Sequence, residues 1–213
     1  MRIVSPSHNI EWMTENPLQA IERAGRICYK SEARITEDSA PLFIKKIIKS
    51  GHHPVLEHAC MSVRFITDRG VSHELVRHRL ASFSQESTRY CNYNSARFDS
   101  ELTFVRPSFW AKGSPQFMLW QGLCGQAQQR YLNMISTGAS PQEARSILPS
   151  SLKTELVMTT NFREWRHVFQ LRTTKAAHPQ MRQLMRPLLK EVREKVPVIF
   201  DDVGCSNIVL SFV

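Results

Sequence analysis

Between Glu57 and Thr67 the side chains alternate: Ala59, Met61, Val63 and Phe65 are apolar, while His58, Cys60, Ser62 and Arg64 between them are polar or small. A period of two fits an extended strand with one buried face. Asp68-Arg69-Gly70 is expected to turn the chain. The stretch from Val71 to Leu80 then suits a helix that carries Arg77, His78 and Arg79 at its end.

Helical spacing dominates elsewhere. A first helix is predicted from Pro17 to Tyr29 and a second from Ser39 to Lys49, the latter stopped by Gly51. The segment from Pro115 to Ser136 places Phe117, Trp120, Cys124, Ala127, Tyr131, Met134 and Ile135 on one stripe, and Gly138 is its expected stop. Ser140-Pro141-Gln142-Glu143 reads as a capping box opening a short helix that bears Arg145. Asn161 followed by Glu164 has the spacing that opens another helix. From His178 to Val196 the amphipathic pattern is clear, with Pro187 expected to kink or split it. Short strands are predicted at Ile3–Val4 and Leu102–Val105, and a longer one from Ser151 to Thr160. Mixed elements with no repeat and no low-complexity linker imply an α+β fold: a single domain over residues 1–213, its mostly antiparallel sheet flanked by long helices.

Composition narrows the classes. At 42% hydrophobic and 22% charged residues the chain is ordinary for a globular protein. No run of about 18 apolar residues exists and the start lacks a secretion signal, so a cytoplasmic protein without a membrane span is expected. Five separated cysteines, Cys28, Cys60, Cys91, Cys124 and Cys205, contain no Cys-x-x-Cys pair and read as reduced, mostly packed thiols. His52, His53, Glu57 and His58 lack metal-ligand spacing, and Pro54 opposes the helix such a site needs, so no metal is expected. A net charge of +9 and a pI near 9.6 favour acidic partners. The basic residues are scattered, with no basic tail and no aromatic RNA-binding motif. Small polyanions account for the charge as well as nucleic acid does.

Arg77, His78 and Arg79 stand side by side, and Ser87 and Arg89 follow. Neighbouring cations repel, so a joining anion gives the cluster a purpose. Guanidinium groups hold phosphate through paired donors, and Ser82, Ser84, Ser87 and Thr88 add hydroxyls. An exposed basic helix end is the competing explanation.

The pattern R-H-R, seven residues, S, from Arg77 to Ser87, followed by Thr88-Arg89-Tyr90, resembles the signature of the flavin-dependent thymidylate synthases. Three further blocks fall in that family's order: Gly51-His52-His53-Pro54-Val55-Leu56-Glu57-His58, Glu143-Ala144-Arg145-Ser146-Ile147-Leu148-Pro149, and Asn161-Phe162-Arg163 leading to Leu171-Arg172. The resemblance implies an enzyme that reductively methylates dUMP to dTMP, with methylenetetrahydrofolate as carbon donor and NADPH as reductant through bound FAD. It also implies a homotetramer with active sites shared between chains.

By the same resemblance, Glu74, Leu75, Val76, Arg77, Gln85, Glu86, Ser87, Thr88, Arg89, Arg145 and Arg172 bind dUMP. His52, Pro54, Arg77, His78, Arg79, Gln85, Asn161, Phe162, Arg163 and His167 bind FAD. Arg172 is the implied catalytic residue, beside the uracil, where its charge favours loss of the imide proton. The activated ring then needs no enzyme nucleophile. Three departures are visible: Pro54 stands where the family commonly has serine or threonine, His167 replaces an amide, and Gln85 stands where some members have glutamate. No G-x-G-x-x-G segment follows a strand, so a Rossmann cradle does not hold the flavin.

Two other functions remain open on the residues alone. A basic nucleic-acid-binding protein without chemistry would be colourless, with salt-sensitive polynucleotide affinity. A flavoenzyme methylating uracil in RNA would act on tRNA in place of the mononucleotide.

Overall fold

The computed structural model describes residues 1–204. In chain order it contains β1 (Arg2–Val4), β2 (Ser7–Met13), α1 (Pro17–Cys28), α2 (Ser39–Lys49), β3 (Cys60–Asp68), α3 (Arg69–Leu75), β4 (Ser82–Gln85), β5 (Thr103–Val105), α4 (Pro115–Ser136), α5 (Pro141–Ala144), β6 (Lys153–Asn161), α6 (Phe162–Arg172) and α7 (Pro179–Lys195). The class is α+β, as expected, with an antiparallel four-stranded sheet in the order β2-β3-β6-β4. The chain partitions into two compact units. One comprises 1–8, 64–77 and 83–157; the other comprises 9–63, 78–82 and 158 onward.

In the first unit β1 and β5 pair in parallel, with Ile3 opposite Phe104. Phe104 also bridges antiparallel to Leu152. A core of Tyr93, Leu102, Phe104, Cys124, Tyr131, Ala144 and Leu152 forms against the stripe of α4. Gly138, at φ +101, ends this segment as the sequence predicts. Its capping box is present too: the Glu143 carboxylate accepts from Ser140 N at 2.8 Å.

In the second unit α1 packs on α2, and α6 packs on α7. Trp165, Phe169 and Phe200 are fully buried, and Trp165 Nε1 donates to the Met61 carbonyl at 3.0 Å. The apolar face that predicts β3 is wholly inaccessible at Met61, Val63 and Phe65, and of the opposite face Arg64 is exposed while Ser62 is buried as well. Its first predicted residues differ: 57 and 58 belong to a short 3-10 helix, His53–His58, that begins at a proline-containing turn. Pro187 does not split α7, which runs unbroken around it. Burial of Leu184, Met185, Leu188 and Leu189 on either side outweighs a local cost of about 3 kcal/mol.

Two short elements have no forecast in the sequence. β2 reads S-H-N-I-E-W-M, too polar for a clear apolar alternation, and β4 is only four residues long. Both lie at the edges of the sheet, where one partner strand suffices.

The thiols are unpaired among the described residues, with Cys124 buried, Cys60 and Cys91 half-buried and Cys28 exposed. Cys205 lies outside the described residues.

Gly25 marks the close approach of α1 and α2. A Cβ there would sit 2.7 Å from the Phe43 ring and 3.0 Å from Val55. Gly25→Ala should therefore destabilise the fold by about 1–3 kcal/mol in urea unfolding; an unchanged midpoint would mean the ring yields freely.

Candidate functional site

In the first unit, the segment ahead of the paired arginines is set by Asp68. Its carboxylate caps α3 by accepting from Val71 N at 2.8 Å. A Cβ on Gly70 would meet that same carboxylate at 2.9 Å, which explains the glycine. The helix stops at Leu75 instead of reaching Leu80, so Arg77, His78 and Arg79 occupy a turn beyond its end. The turn lets the middle residue, His78, go into the interior while Arg77 and Arg79 stay exposed. Arg77 is exposed, while Leu75 is fully buried and presents no side chain to a ligand.

Gln85, at the end of β4, donates its amide to Ser72 Oγ at 2.9 Å and to Thr154 Oγ1 at 3.1 Å. Both oxygens of Glu86 are committed: one accepts from Tyr93 at 2.6 Å, the other from Lys153 at 2.8 Å. Glu86 thus braces the loop from within. Burial, then the Glu86 charge, push the Tyr93 hydroxyl far up, keeping it a proton donor. The Cys91 thiol is likewise pushed up by burial and by Glu86, which leaves it unactivated. Beyond this brace the chain turns at Ser87, whose carbonyl accepts from Tyr90 and Cys91. Arg89 Nε donates to Gln142 Oε1 at 3.2 Å on α5. Arg145 follows three residues later and is exposed. Two arginines far apart in sequence are thereby carried by segments in direct contact. Thr88 is nearly buried.

In the second unit, the Asn161 side chain caps α6, accepting from Glu164 N at 2.9 Å. The cap sets which residues of α6 face inward. Glu164 and Arg166 are both more than nine-tenths buried. Arg166 grips Asp202 through two bonds of 2.6 and 2.7 Å and also donates to the Ile199 carbonyl. Glu164 Oε1 lies 3.2 Å from His78 Nδ1, and Arg172 Nε donates to His78 Nε2 at 3.0 Å. An arginine N–H can only donate, so Nε2 is the lone-pair nitrogen and Nδ1 carries the hydrogen toward Glu164. Burial, reinforced by Arg172 and then His167, lowers His78 to about 4. Burial raises the Glu164 carboxyl, with His167 and Arg163 acting in the opposite sense. At neutral pH the line is a carboxylate, a neutral imidazole and a guanidinium.

Glu164, His78 and His167 also have ligand atoms within 4.8 Å of one another. Both nitrogens of His78 are already committed to hydrogen bonds, and a metal there would have to displace one partner beside a fixed positive charge. Hydrogen bonding accounts for the grouping better.

A cavity of about 480 Å³ in this unit is lined by His53, Leu80, Asn161, Arg163, His167 and Gln170, among others. Arg163, half exposed, pairs with Glu57 at 2.7 Å. Leu80 is 74% exposed at the cavity and offers apolar surface against which a flat ring can pack. The Arg163 cation, the amides of Asn161 and Gln170 and the imidazoles of His53 and His167 are donors a flavin with its pyrophosphate can use, beside the carboxylates of Glu57 and Glu164, which also line the cavity. Phe162 is different: it is wholly buried against Phe200, and its N–H donates to the Ala59 carbonyl. Pro54 is exposed in the 3-10 helix and offers no side-chain donor. His52 bonds to the Tyr29 hydroxyl at 2.7 Å and lines a separate cavity.

A family model described as thymidylate synthase complementing protein matches residues 10–198. Among curated proteins, the flavin-dependent thymidylate synthase of Geobacter sulfurreducens is 31% identical over 90% of this chain and 84% of its own length. That of Pyrococcus horikoshii is 34% identical over 87% of this chain and 80% of its own. The Thermococcus onnurineus protein of the same name is 33% identical, with 84% and 75% covered. This chain belongs to the flavin-dependent thymidylate synthase family.

For a flavin-dependent thymidylate synthase, the residue that sequence reasoning passed over is Glu164, read only as a helix-cap acid. Its spacing to His167 and Arg172, three and eight residues on, is the signal that one helix carries a polar line. Gln142 was also passed over, because a single exposed glutamine on a four-residue helix carries no pattern.

Because the folded value of His78 lies below its ordinary value of 6.5, its contribution to stability is complete above about that pH and is lost as pH falls toward 4. Imidazole nitrogen NMR should find His78 in the Nδ1–H tautomer, with a midpoint near 4. Titration at the unperturbed value would show that the line from Glu164 to Arg172 is not formed.

Proposed function

We propose that this chain makes thymidylate from dUMP with methylenetetrahydrofolate as carbon donor, using bound FAD and taking reducing equivalents from NADPH. It is an enzyme of the methyltransferase class and a flavoprotein, as its family membership dictates. The observation that carries the finer reading is the 3.0 Å bond from Arg172 to the histidine of the Arg77-His78-Arg79 motif.

Arg172 is the proposed catalytic residue. Its guanidinium stabilises the uracil as the imide proton leaves, raising electron density at the ring carbon that takes the one-carbon unit. A flexible arginine would spend part of its time elsewhere. His78 fixes one edge of the group through Nε, and Glu164 fixes His78 in turn, so the charge is pre-oriented before substrate arrives. The neutral state of His78 matters because an imidazolium would repel Arg172.

The nucleotide phosphate and sugar are assigned to the exposed arginines Arg77, Arg89 and Arg145 and to the Ser87–Thr88 segment, with Gln85, Glu86 and Glu74–Val76 shaping that loop. Glu86 and Leu75 act from the interior, through packing and hydrogen bonds, and Glu74 and Val76 through backbone. FAD is assigned to Asn161, Arg163 and His167 around the cavity, with His52, Pro54, Arg77, His78, Arg79 and Gln85 as further contacts and Phe162 supporting from the core. When bound, FAD supplies the two-electron transfer that completes the methyl group. The residues around it hold and orient it and exclude water. A homotetramer with shared sites and a cytoplasmic location belong to the same proposal; no described helix is long and apolar enough to cross a membrane.

Arg172→Ala should retain the yellow flavin spectrum and its bleaching by NADPH, yet lose thymidylate formation by roughly a hundredfold to a thousandfold. Full turnover in that variant would refute the role given to Arg172.

A further inference from the structure

We propose that the basic cavity between α1 and α2 is a docking site for the polyanionic tail of a co-substrate, either the γ-glutamyl carboxylates of the folate or the phosphate-bearing end of the nicotinamide nucleotide. The inference rests on the function proposed above. It concerns residues that neither the sequence resemblance nor the assigned dUMP and FAD contacts include, apart from His52.

The cavity measures about 380 Å³, and Arg26, Lys30, Arg34, Lys46, Tyr29 and His52 are among its lining residues. No carboxylate lines it. Arg26 is neutralised by the buried Glu22 at 2.8 Å and lies 4.6 Å from the Phe43 ring, so it belongs to the wall. Lys30, Arg34 and Lys46 are exposed, and none has a carboxylate partner among the described residues. Three uncompensated cations around one concavity raise the local anion concentration.

A solvated basic helix end explains only part of this. Lys46 lies in the last turn of α2, where a cation is favoured by the helix dipole. Lys30 and Arg34 come from the connection between helices, and Lys30 adopts φ +46, a conformation that costs a lysine energy. Glu32 shares the short 3-10 helix with Arg34 but does not line the cavity.

The position of the cavity selects the ligand. His52 lines it, stacked on Tyr29 with ring centroids 6.4 Å apart, while the next residue, His53, lines the cavity assigned to the flavin. Consecutive residues of the same unit thus line the two cavities. A substrate whose ring lies by the flavin could extend its charged end past Tyr29 to the three cations. Both co-substrates have that form: a flat reactive ring at one end and fixed negative charge at the other.

The test compares the holoenzyme with Lys30→Glu/Lys46→Glu and with Lys112→Glu, a surface control. Methylenetetrahydrofolate bearing one or three γ-glutamates, and NADPH against NADH, are varied in turn. A calorimetric titration with triglutamyl tetrahydrofolate, or with the non-reducing nucleotide NADP+ against NAD+, gives a binding readout independent of turnover. The double variant should keep its flavin spectrum and raise either the KM and Kd of the triglutamate but not the monoglutamate, or the KM of NADPH and Kd of NADP+ but not those of NADH and NAD+, by about tenfold or more. The first pattern identifies the folate tail and the second the phosphate. Equal values for the double variant and the control, or a rise that ignores tail charge, would overturn the proposal. A wild-type protein without flavin or thymidylate formation would instead fail the underlying function, while the titration still reports on the cavity.

Discussion

A neutral imidazole held between a buried carboxylate and a guanidinium organises the second unit. His78 can accept from Arg172 only if Nε2 is unprotonated, and it can satisfy Glu164 only if Nδ1 carries the hydrogen. Each bond therefore fixes the tautomer that the other requires. Burial of His78 and Glu164 to within a few per cent of complete makes both bonds costly to lose, because an unpaired buried polar group is left behind. The Asn161 cap sets the phase of α6, and Thr160 donates to the Leu80 carbonyl at 2.5 Å, tying down the turn that bears His78. A basic motif that looks like three surface charges in sequence is divided by folding: the middle residue goes inside and its neighbours stay in solvent.

The first unit applies a related economy to its loop. Glu86 is fully used by Tyr93 and Lys153, and Gln85 by Ser72 and Thr154, so the backbone from Ser87 to Arg89 is set before any ligand arrives. Burial alone would depress Lys153, but its bonds to Glu86 and Glu155 outweigh that and hold it charged. What remains exposed is a set of arginines on a rigid base, which is the form expected for recognition of a fixed dianion.

Elements with long periodic patterns were legible in the sequence: α4 and the buried apolar face of β3 appear where their apolar residues place them. The caps at Ser140 and Asn161 were legible because their spacing is local. The polar edge strands β2 and β4 were not, since one hydrogen-bonded neighbour and little burial leave no pattern to read. Nor was the early end of α3, where continued apolar spacing through Leu80 suggested helix but the adjacent cations fall in a turn. Of the candidate site, ordered motifs identified which residues matter, yet not how they act. Phe162 and Glu86 stand in matching blocks, and Leu75 just ahead of one, but all three turn inward. Glu164, a plain capping acid in sequence, becomes the anchor of Arg172, because contacts across 86 residues of chain carry no local signature.

The central claim is that a pre-oriented Arg172 makes the uracil imide give up its proton more readily. Nitrogen NMR of imide-labelled dUMP, titrated free and in complex with the holoenzyme, measures that directly. The account predicts that the bound imide ionises at lower pH than the free nucleotide. An imide that titrates at the same pH or higher when bound would contradict it.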